Sequence, residues 1–307
     1  MRRRLILLSL AGVVLAGLLT LAARLSPAAP VRPVQVWVLA GQSNMVGNLT
    51  QADYALLDAS LREQPAVAYY NGSPGICDRE RAVWAALRPL CSTYTPWSLG
   101  PELSFGASLA EAAPDAQLAL IKYALNDTSL KEEWLPGVQS TRCAPATAPG
   151  QPGSCYAGLV ATVTDAVAAL RLRYPGAPIE LMGVVWMQGE TDADPSRAGA
   201  AESYGANLQQ LIEALRRDLQ PLFATNTAPA PPLFLYGRLH RENFFAAAAQ
   251  VRASQEALAV APGRPQRIVM VDTDSVEIGP DRLHYTANGQ LQLGRLFAEA
   301  ARAPSTR

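Results

Sequence analysis

The chain predicts an α/β fold whose parallel sheet is covered by helices on both faces. Short, β-branched apolar runs recur along it, longer stretches of helical periodicity separate them, and no internal repeat interrupts the alternation. Strands buried on both faces read as continuous apolar runs of this kind.

Val34-Gln35-Val36-Trp37-Val38-Leu39, bounded by Pro33 and Gly41, reads as the first buried strand. Residues 66–70, 117–123, 179–186, 233–236 and 267–271 supply further strands. A helix is predicted over 101–112, with Leu103, Leu109 and Ala110 on one face. Another covers 156–174, where Leu159, Val163, Val167 and Leu170 repeat at helical spacing. Helices over 201–219, 244–260 and 286–301 complete the set, with Thr286 as N-cap of the last. Residues 225–232 form a Pro/Ala loop too brief for a domain linker, so 31–307 reads as one domain. In open sheets, ligands bind beyond the carboxyl ends of the strands. The residues just after each strand therefore come first in a search for chemistry.

The 307 residues include 26 basic and 26 acidic side chains, two histidines and four cysteines. Balanced charge excludes a dedicated nucleic-acid binder, which carries a basic excess. Two histidines exclude a His-rich metal site, and the apolar content excludes disorder. Arg2, Arg3 and Arg4 precede an uncharged stretch from Leu5 to Ala23, followed by Arg24 and Ser26-Pro27-Ala28-Ala29-Pro30. A positive segment before an apolar core is the pattern of a secretory leader. The apolar run is nearly long enough to span a bilayer, and no small-x-small cleavage site stands out. Residues 1–30 are thus read as a signal peptide or as an uncleaved anchor through residues 5–23. Either way the body lies outside the cytoplasm, periplasmic or extracellular. Four arginines and no acid lie within residues 1–30, so the rest of the chain carries about −4.

The cysteines agree with export. Neither Cys77 and Cys91 nor Cys143 and Cys155 have C-x-x-C spacing, and no histidine lies near them, which argues against zinc. Each pair closes a short Pro-, Gly- and Ser-rich loop. Four cysteines allow three pairings; Cys77–Cys91 and Cys143–Cys155 are the ones expected.

The first strand runs into Gly41-Gln42-Ser43-Asn44-Met45. A serine in a tight turn at a strand end can present its hydroxyl, and a helix starting there offers N–H groups to an oxyanion. Position alone also allows Ser43 to be only a helix cap. A hydroxyl nucleophile needs a base. His284 lies three residues after Asp281, within one turn of backbone, so that carboxylate can reach Nδ1 and leave Nε2 for the serine. His240, flanked by arginines, reads as a surface or supporting histidine. The fourth strand runs into Trp186-Met187-Gln188-Gly189-Glu190-Thr191-Asp192, which brings an amide and two carboxylates to the same edge. Asn126-Asp127 follows the third strand, and both residue types tolerate left-handed backbone. No G-x-S-x-G elbow, Walker loop, H-E-x-x-H or dinucleotide fingerprint occurs.

Taken in order, Gly41-Gln42-Ser43-Asn44-Met45, Gln188-Gly189-Glu190 and Asp281-Arg282-Leu283-His284 resemble the SGNH hydrolase superfamily. Within it they look like the sialate O-acetylesterase-like group, which includes the carbohydrate esterase family 6 acetylxylan esterases. Leu99-Gly100-Pro101-Glu102, Ile121-Lys122-Tyr123-Ala124, Thr128-Ser129-Leu130 and Trp134 look like further segments of that group. The resemblance implies a three-layer αβα sandwich, SGNH/flavodoxin-like, with a mainly parallel five-stranded sheet. It also implies an acyl-serine mechanism, with Ser43 as nucleophile and His284 as base. Asp281 or Glu190 would be the acid. Gln188 would take the place of the superfamily's oxyanion Asn, beside the Ser43 N–H; Gln42, Asn44 and Asn126 are the other oxyanion or substrate-binding candidates. The group's Gly-Gly-Thr is Asn126-Asp127-Thr128 here, a departure at an oxyanion donor.

The expectation is therefore an exported serine esterase that removes O-acetyl groups from an acetylated carbohydrate, without metal or organic cofactor and without a nucleic-acid partner. A non-catalytic glycan-binding protein on the same fold and an SGNH lipase or thioesterase for longer acyl esters are the alternatives.

Overall fold

The structure, a computed structural model, describes residues 32–140, 142–143, 154–223, 230–263 and 265–303. The leader at 1–30 and most of the loop 140–154 lie outside the described residues.

Strand β1 (Val34–Gly41) divides its side chains between two cores. Val34, Val36, Val38 and Ala40 enter one, while Trp37 and Leu39 enter the other. This is the two-residue period of a strand buried on both faces. The sheet around it contains β3 (Gln64–Asn71), β4 (Ala85–Leu87), β7 (Gln117–Ala124), β8 (Ile179–Met187), β9 (Leu233–Gly237) and β10 (Ile268–Val271). Their order is β10-β9-β8-β1-β7-β3-β4. All neighbours are parallel except the short edge strand β4, which runs antiparallel to β3. The sheet thus has seven strands where five were expected. All six strand candidates join it, and β4, too short and too poor in β-branched residues to be legible, adds the antiparallel edge.

Helices α5 (Cys155–Arg173), α6 (Ala200–Leu219) and α7 (Ala248–Val260) cover one face through Leu159, Val163, Leu208, Leu211 and Val251. Helices α4 (Glu102–Ala112) and α8 (Ala287–Arg302) cover the other through Leu103, Phe105, Leu293 and Phe297. Three layers result. Burying each such side chain contributes about 1.5–3 kcal/mol relative to leaving it exposed. The Thr286 hydroxyl accepts from the Gly289 N–H and caps α8 as expected. The α7 helix begins four residues later than expected. The Asn243 side chain accepts from the Phe245 N–H instead, an Asx turn that holds Phe244 and Phe245 outside the helix.

Between β1 and β3 lie the short helices α1 (Ser43–Val46), α2 (Gln51–Leu56) and α3 (Ala59–Arg62). A small antiparallel sheet joins β2 (Asn48–Leu49), β6 (Trp97–Ser98) and β5 (Leu90–Cys91). Cys77 is bonded to Cys91 and Cys143 to Cys155.

Candidate active site

The three central strands end level: Gly41 is in register with Ala124 of β7 on one side and with Met187 of β8 on the other. Loops from three parts of the sequence therefore leave the sheet at one point, as the strand-end rule anticipates. Gly41 has φ +146°, and a Cβ on it would lie 2.0 Å from the Met187 carbonyl oxygen. Only glycine lets β1 turn this sharply against β8. The next turn is α1, with Ser43 at its first position, where a residue's N–H has no intrahelical acceptor.

His284 arrives from the other end of the chain. Its Nε2 lies 3.1 Å from the Ser43 hydroxyl oxygen, and its Nδ1 lies 2.7 Å from Asp281 Oδ2. An ionised carboxylate only accepts, so Nδ1 carries the proton and Nε2 is free to accept from the serine. The Asp281 carboxylate also accepts from the Leu283 and His284 backbone N–H groups, both at 3.0 Å. Partial burial pushes the Asp281 carboxyl up, but these hydrogen bonds and the imidazole outweigh it and hold the group below its ordinary range. Arg282, between them, adopts left-handed backbone at φ +56° to close this turn.

Asn44 fastens the histidine loop to the rest of the site. Its side-chain nitrogen donates to Glu190 Oε1 at 2.5 Å and to the Leu283 carbonyl at 2.9 Å, while its oxygen accepts from the Tyr285 N–H. Every polar atom of the amide is engaged inside the protein, so Asn44 is a strut and not the substrate-binding or oxyanion group expected. Glu190 is fully buried, with Asn44 as its side-chain partner and its Oε2 unpaired. Burial pushes its carboxyl up, opposed by the Asn44 hydrogen bond. Its carboxylate makes no hydrogen bond to His284; Asp281 does.

Gln188 also departs from expectation. Its side-chain nitrogen donates to the Thr128 carbonyl at 3.0 Å and to Asp192 Oδ2 at 2.5 Å, and the residue is absent from the cavity wall. With both hydrogens spent on the interior, it cannot face an oxyanion. Besides the Gln188 bond, the Asp192 carboxylate accepts three more, from the Ser129 hydroxyl, the Leu130 N–H and the Lys131 N–H. Burial nonetheless pushes that carboxyl up. Together Gln188 and Asp192 pin the loop after β7 to the loop after β8. The Gln42 side-chain oxygen accepts from the Thr191 N–H at 3.2 Å, tying the nucleophile turn to the same loop.

Asn126 and Asp127 complete the rim. Asp127 takes φ +54°, the backbone a glycine would adopt, so the turn forms without one. Arg142 donates to the Asn126 carbonyl at 3.1 Å and pairs with Asp127 at 3.1 Å. His240 is buried, not superficial: its Nδ1 accepts from the Glu242 N–H, its ring meets Tyr285 edge-on, and burial lowers its pKa.

Beneath α1, Lys122 and Glu102 form a fully buried ion pair at 2.7 Å. The Lys122 ammonium also donates to the Val46 carbonyl at the end of α1, and Glu102 accepts from the Gly100 N–H. Burial lowers the Lys122 pKa, against the pull of Glu102. In sequence both residues lie in segments that resemble the family, but nothing there pairs one with the other.

A cavity of about 340 Å³ opens over these groups, lined by Gln42, Ser43, Asn126, Asp127, Glu190, Thr191, Phe245, Leu283 and His284. Phe245 was missed from sequence, although it follows β9 on the same edge of the sheet.

Over residues 33–303 the chain matches the family model for carbohydrate esterase, sialic acid-specific acetylesterase. A probable carbohydrate esterase from Arabidopsis thaliana is 31% identical over 121 residues, a match spanning 39% of this chain and 40% of that protein. A crystal structure of an Arabidopsis thaliana protein shares the fold with a TM-score of 0.63 at 22% identity, covering 89% of this chain and 99% of that one. A carbohydrate acetylesterase from Xanthomonas citri does so with a TM-score of 0.56 at 19% identity, covering 88% of this chain and 56% of that one.

Proposed function

The chain belongs to the sialic acid-specific acetylesterase family of carbohydrate esterases, and on that premise we propose that it removes O-acetyl groups from a glycan through an acetyl-serine intermediate. The observation that carries this reading is the continuous chain from Ser43 through His284 to Asp281, at 3.1 and 2.7 Å. In this mechanism Ser43 Oγ attacks the acetyl carbonyl as its proton passes to His284 Nε2. Asp281 keeps the imidazole in the required tautomer and stabilises the imidazolium. The bond from carbonyl carbon to sugar oxygen then breaks, and His284 returns the proton to that oxygen. Water, deprotonated by His284, attacks the acetyl-enzyme and releases acetate, which restores the serine.

The Ser43 and Asn126 backbone N–H groups are the proposed oxyanion donors, replacing Gln188 in that role. One such donor is worth about 2.7–4 kcal/mol in the transition state. The left-handed Asp127 supports a retained turn and so favours catalysis over the glycan-binding alternative.

Ser43→Ala is expected to lower the hydrolysis of 4-nitrophenyl acetate by at least about a thousandfold with an unchanged circular dichroism spectrum. Full activity in that variant would overturn the mechanism. A preference for octanoate over acetate esters would favour a lipase instead. The two disulfides fit an oxidising compartment, periplasmic or extracellular. We further propose that residues 1–30 deliver the chain there as a signal peptide or anchor. N-terminal sequencing of the exported protein separates the two, since a cleaved leader leaves a new N-terminus.

A further inference from the structure

Several features of the cavity are not used by the ester chemistry. Phe245 forms part of its wall, and Phe244 packs on Phe245 with ring centroids 4.3 Å apart and planes tilted by 33°. Phe244 is 50% exposed. The turn that carries the pair is pinned at two points. The Phe245 N–H donates to buried Asn243, and the Ala247 N–H donates to Ala193 in the loop after β8. Two residues of the same cavity wall each carry a buried acceptor that lacks a donor: Asn126 Oδ1 and Glu190 Oε2. Unpaired buried acceptors are costly and call for a donor from elsewhere. Among the described residues, no lysine or arginine lines the cavity. Two guanidinium groups behind the Asn126-Asp127 rim are paired with carboxylates, Arg142 with Asp127 and Arg197 with Asp127 and Glu132.

We propose that Phe244 and Phe245 are a platform for an uncharged pyranose unit of the glycan, whose hydroxyls donate to Asn126 Oδ1 and Glu190 Oε2. A pyranose has one apolar C–H face and a rim of hydroxyl donors. The C–H face complements the negative face of an aromatic ring, and the rim supplies the missing donors. A carboxylated sugar would bring its anion towards Glu190 and Asp127 with no cation among the described residues of the cavity wall to pair with. This inference rests on the acetylesterase reading and adds the class of sugar and the residues that select it.

Steady-state kinetics on three esters test it: an acetylated neutral xylo-oligosaccharide, an O-acetylated sialic acid and 4-nitrophenyl acetate. The unmodified protein should favour the neutral oligosaccharide over the sialic acid in kcat/KM. In Phe244→Ala, kcat/KM should fall about fivefold to tenfold more on the oligosaccharide than on the aryl ester, chiefly through KM. Phe244→Trp should restore it, which a merely structural role for Phe244 does not require. Equal losses on both esters, or a preference for the sialic acid, would overturn the platform and leave the esterase reading standing. Hydrolysis of the aryl ester with no acetylated glycan accepted would overturn both.

Discussion

At the scale of single residues, the site separates two carboxylates that the sequence could not. Asp281 accepts from the imidazole and two backbone N–H groups, whereas Glu190 is buried against Asn44. Asp281→Asn is expected to lower kcat on 4-nitrophenyl acetate by about a thousandfold to ten-thousandfold, by loss of the productive tautomer. Glu190→Gln should lose much less, and the reverse order would assign the triad to Glu190. The two also differ in their effect on stability. Burial raises the Glu190 pKa in the folded state, so the native protein binds this proton more tightly than the unfolded chain. Its contribution is fully present below the unfolded pKa and is lost as pH rises through the folded value. Glu190→Gln removes that loss. Its Tm should exceed that of the unmodified protein at pH 8 and converge with it near pH 4, at about 2–4 °C per kcal/mol. A Tm difference independent of pH would contradict this.

At the scale of elements, α1 is too short to hold itself. It has four residues, no side-chain N-cap and no charged residue at either end. It is held from outside by the strand ends above and by the Lys122 ammonium on the Val46 carbonyl below. Lys122→Met would leave Glu102 buried without its partner and should cost about 3–5 kcal/mol in urea unfolding. The double variant with Glu102→Gln should recover part of that loss, because the uncompensated charge is gone. A double variant less stable than Lys122→Met would contradict this account. The late start of α7 is a second lesson at this scale. The periodicity of 244–260 continues through the two phenylalanines, but Asn243 captures the Phe245 N–H and delays the start of the helix to Ala248.

At the scale of the whole molecule, two disulfides close short loops, one after β3 and one between β7 and α5. They span 14 and 12 residues. Replacing Cys77 and Cys91 together by serine should lower stability by about 2–4 kcal/mol in the chain-entropy picture. Thermal unfolding with and without a thiol reductant checks this, and an unchanged Tm would show that the bond adds nothing. The Cys143–Cys155 bond anchors the start of α5 next to Arg142, which holds the Asn126-Asp127 turn. The contact of Arg142 with the catalytic rim was not legible, since nothing local to Arg142 points to residues 126 and 127.

The sequence alone determined the αβ alternation, the strand that runs into the Ser43 turn and the family, and it singled out His284 over His240 as the candidate base. Each rests on local periodicity, on short spacing or on motifs that stay contiguous in the chain. Asp281 and His284 are three residues apart, and a contact of that kind survives any fold. Only the tertiary structure decided that Gln188 turns inward to Thr128 and Asp192, that Asn44 is a strut, that Lys122 and Glu102 meet beneath the nucleophile, and that Phe245 walls the cavity. In each case one side chain had two or more chemically competent destinations. Register among β1, β7 and β8 brought one of them within hydrogen-bonding or packing distance, and burial then made leaving it unpaired too costly.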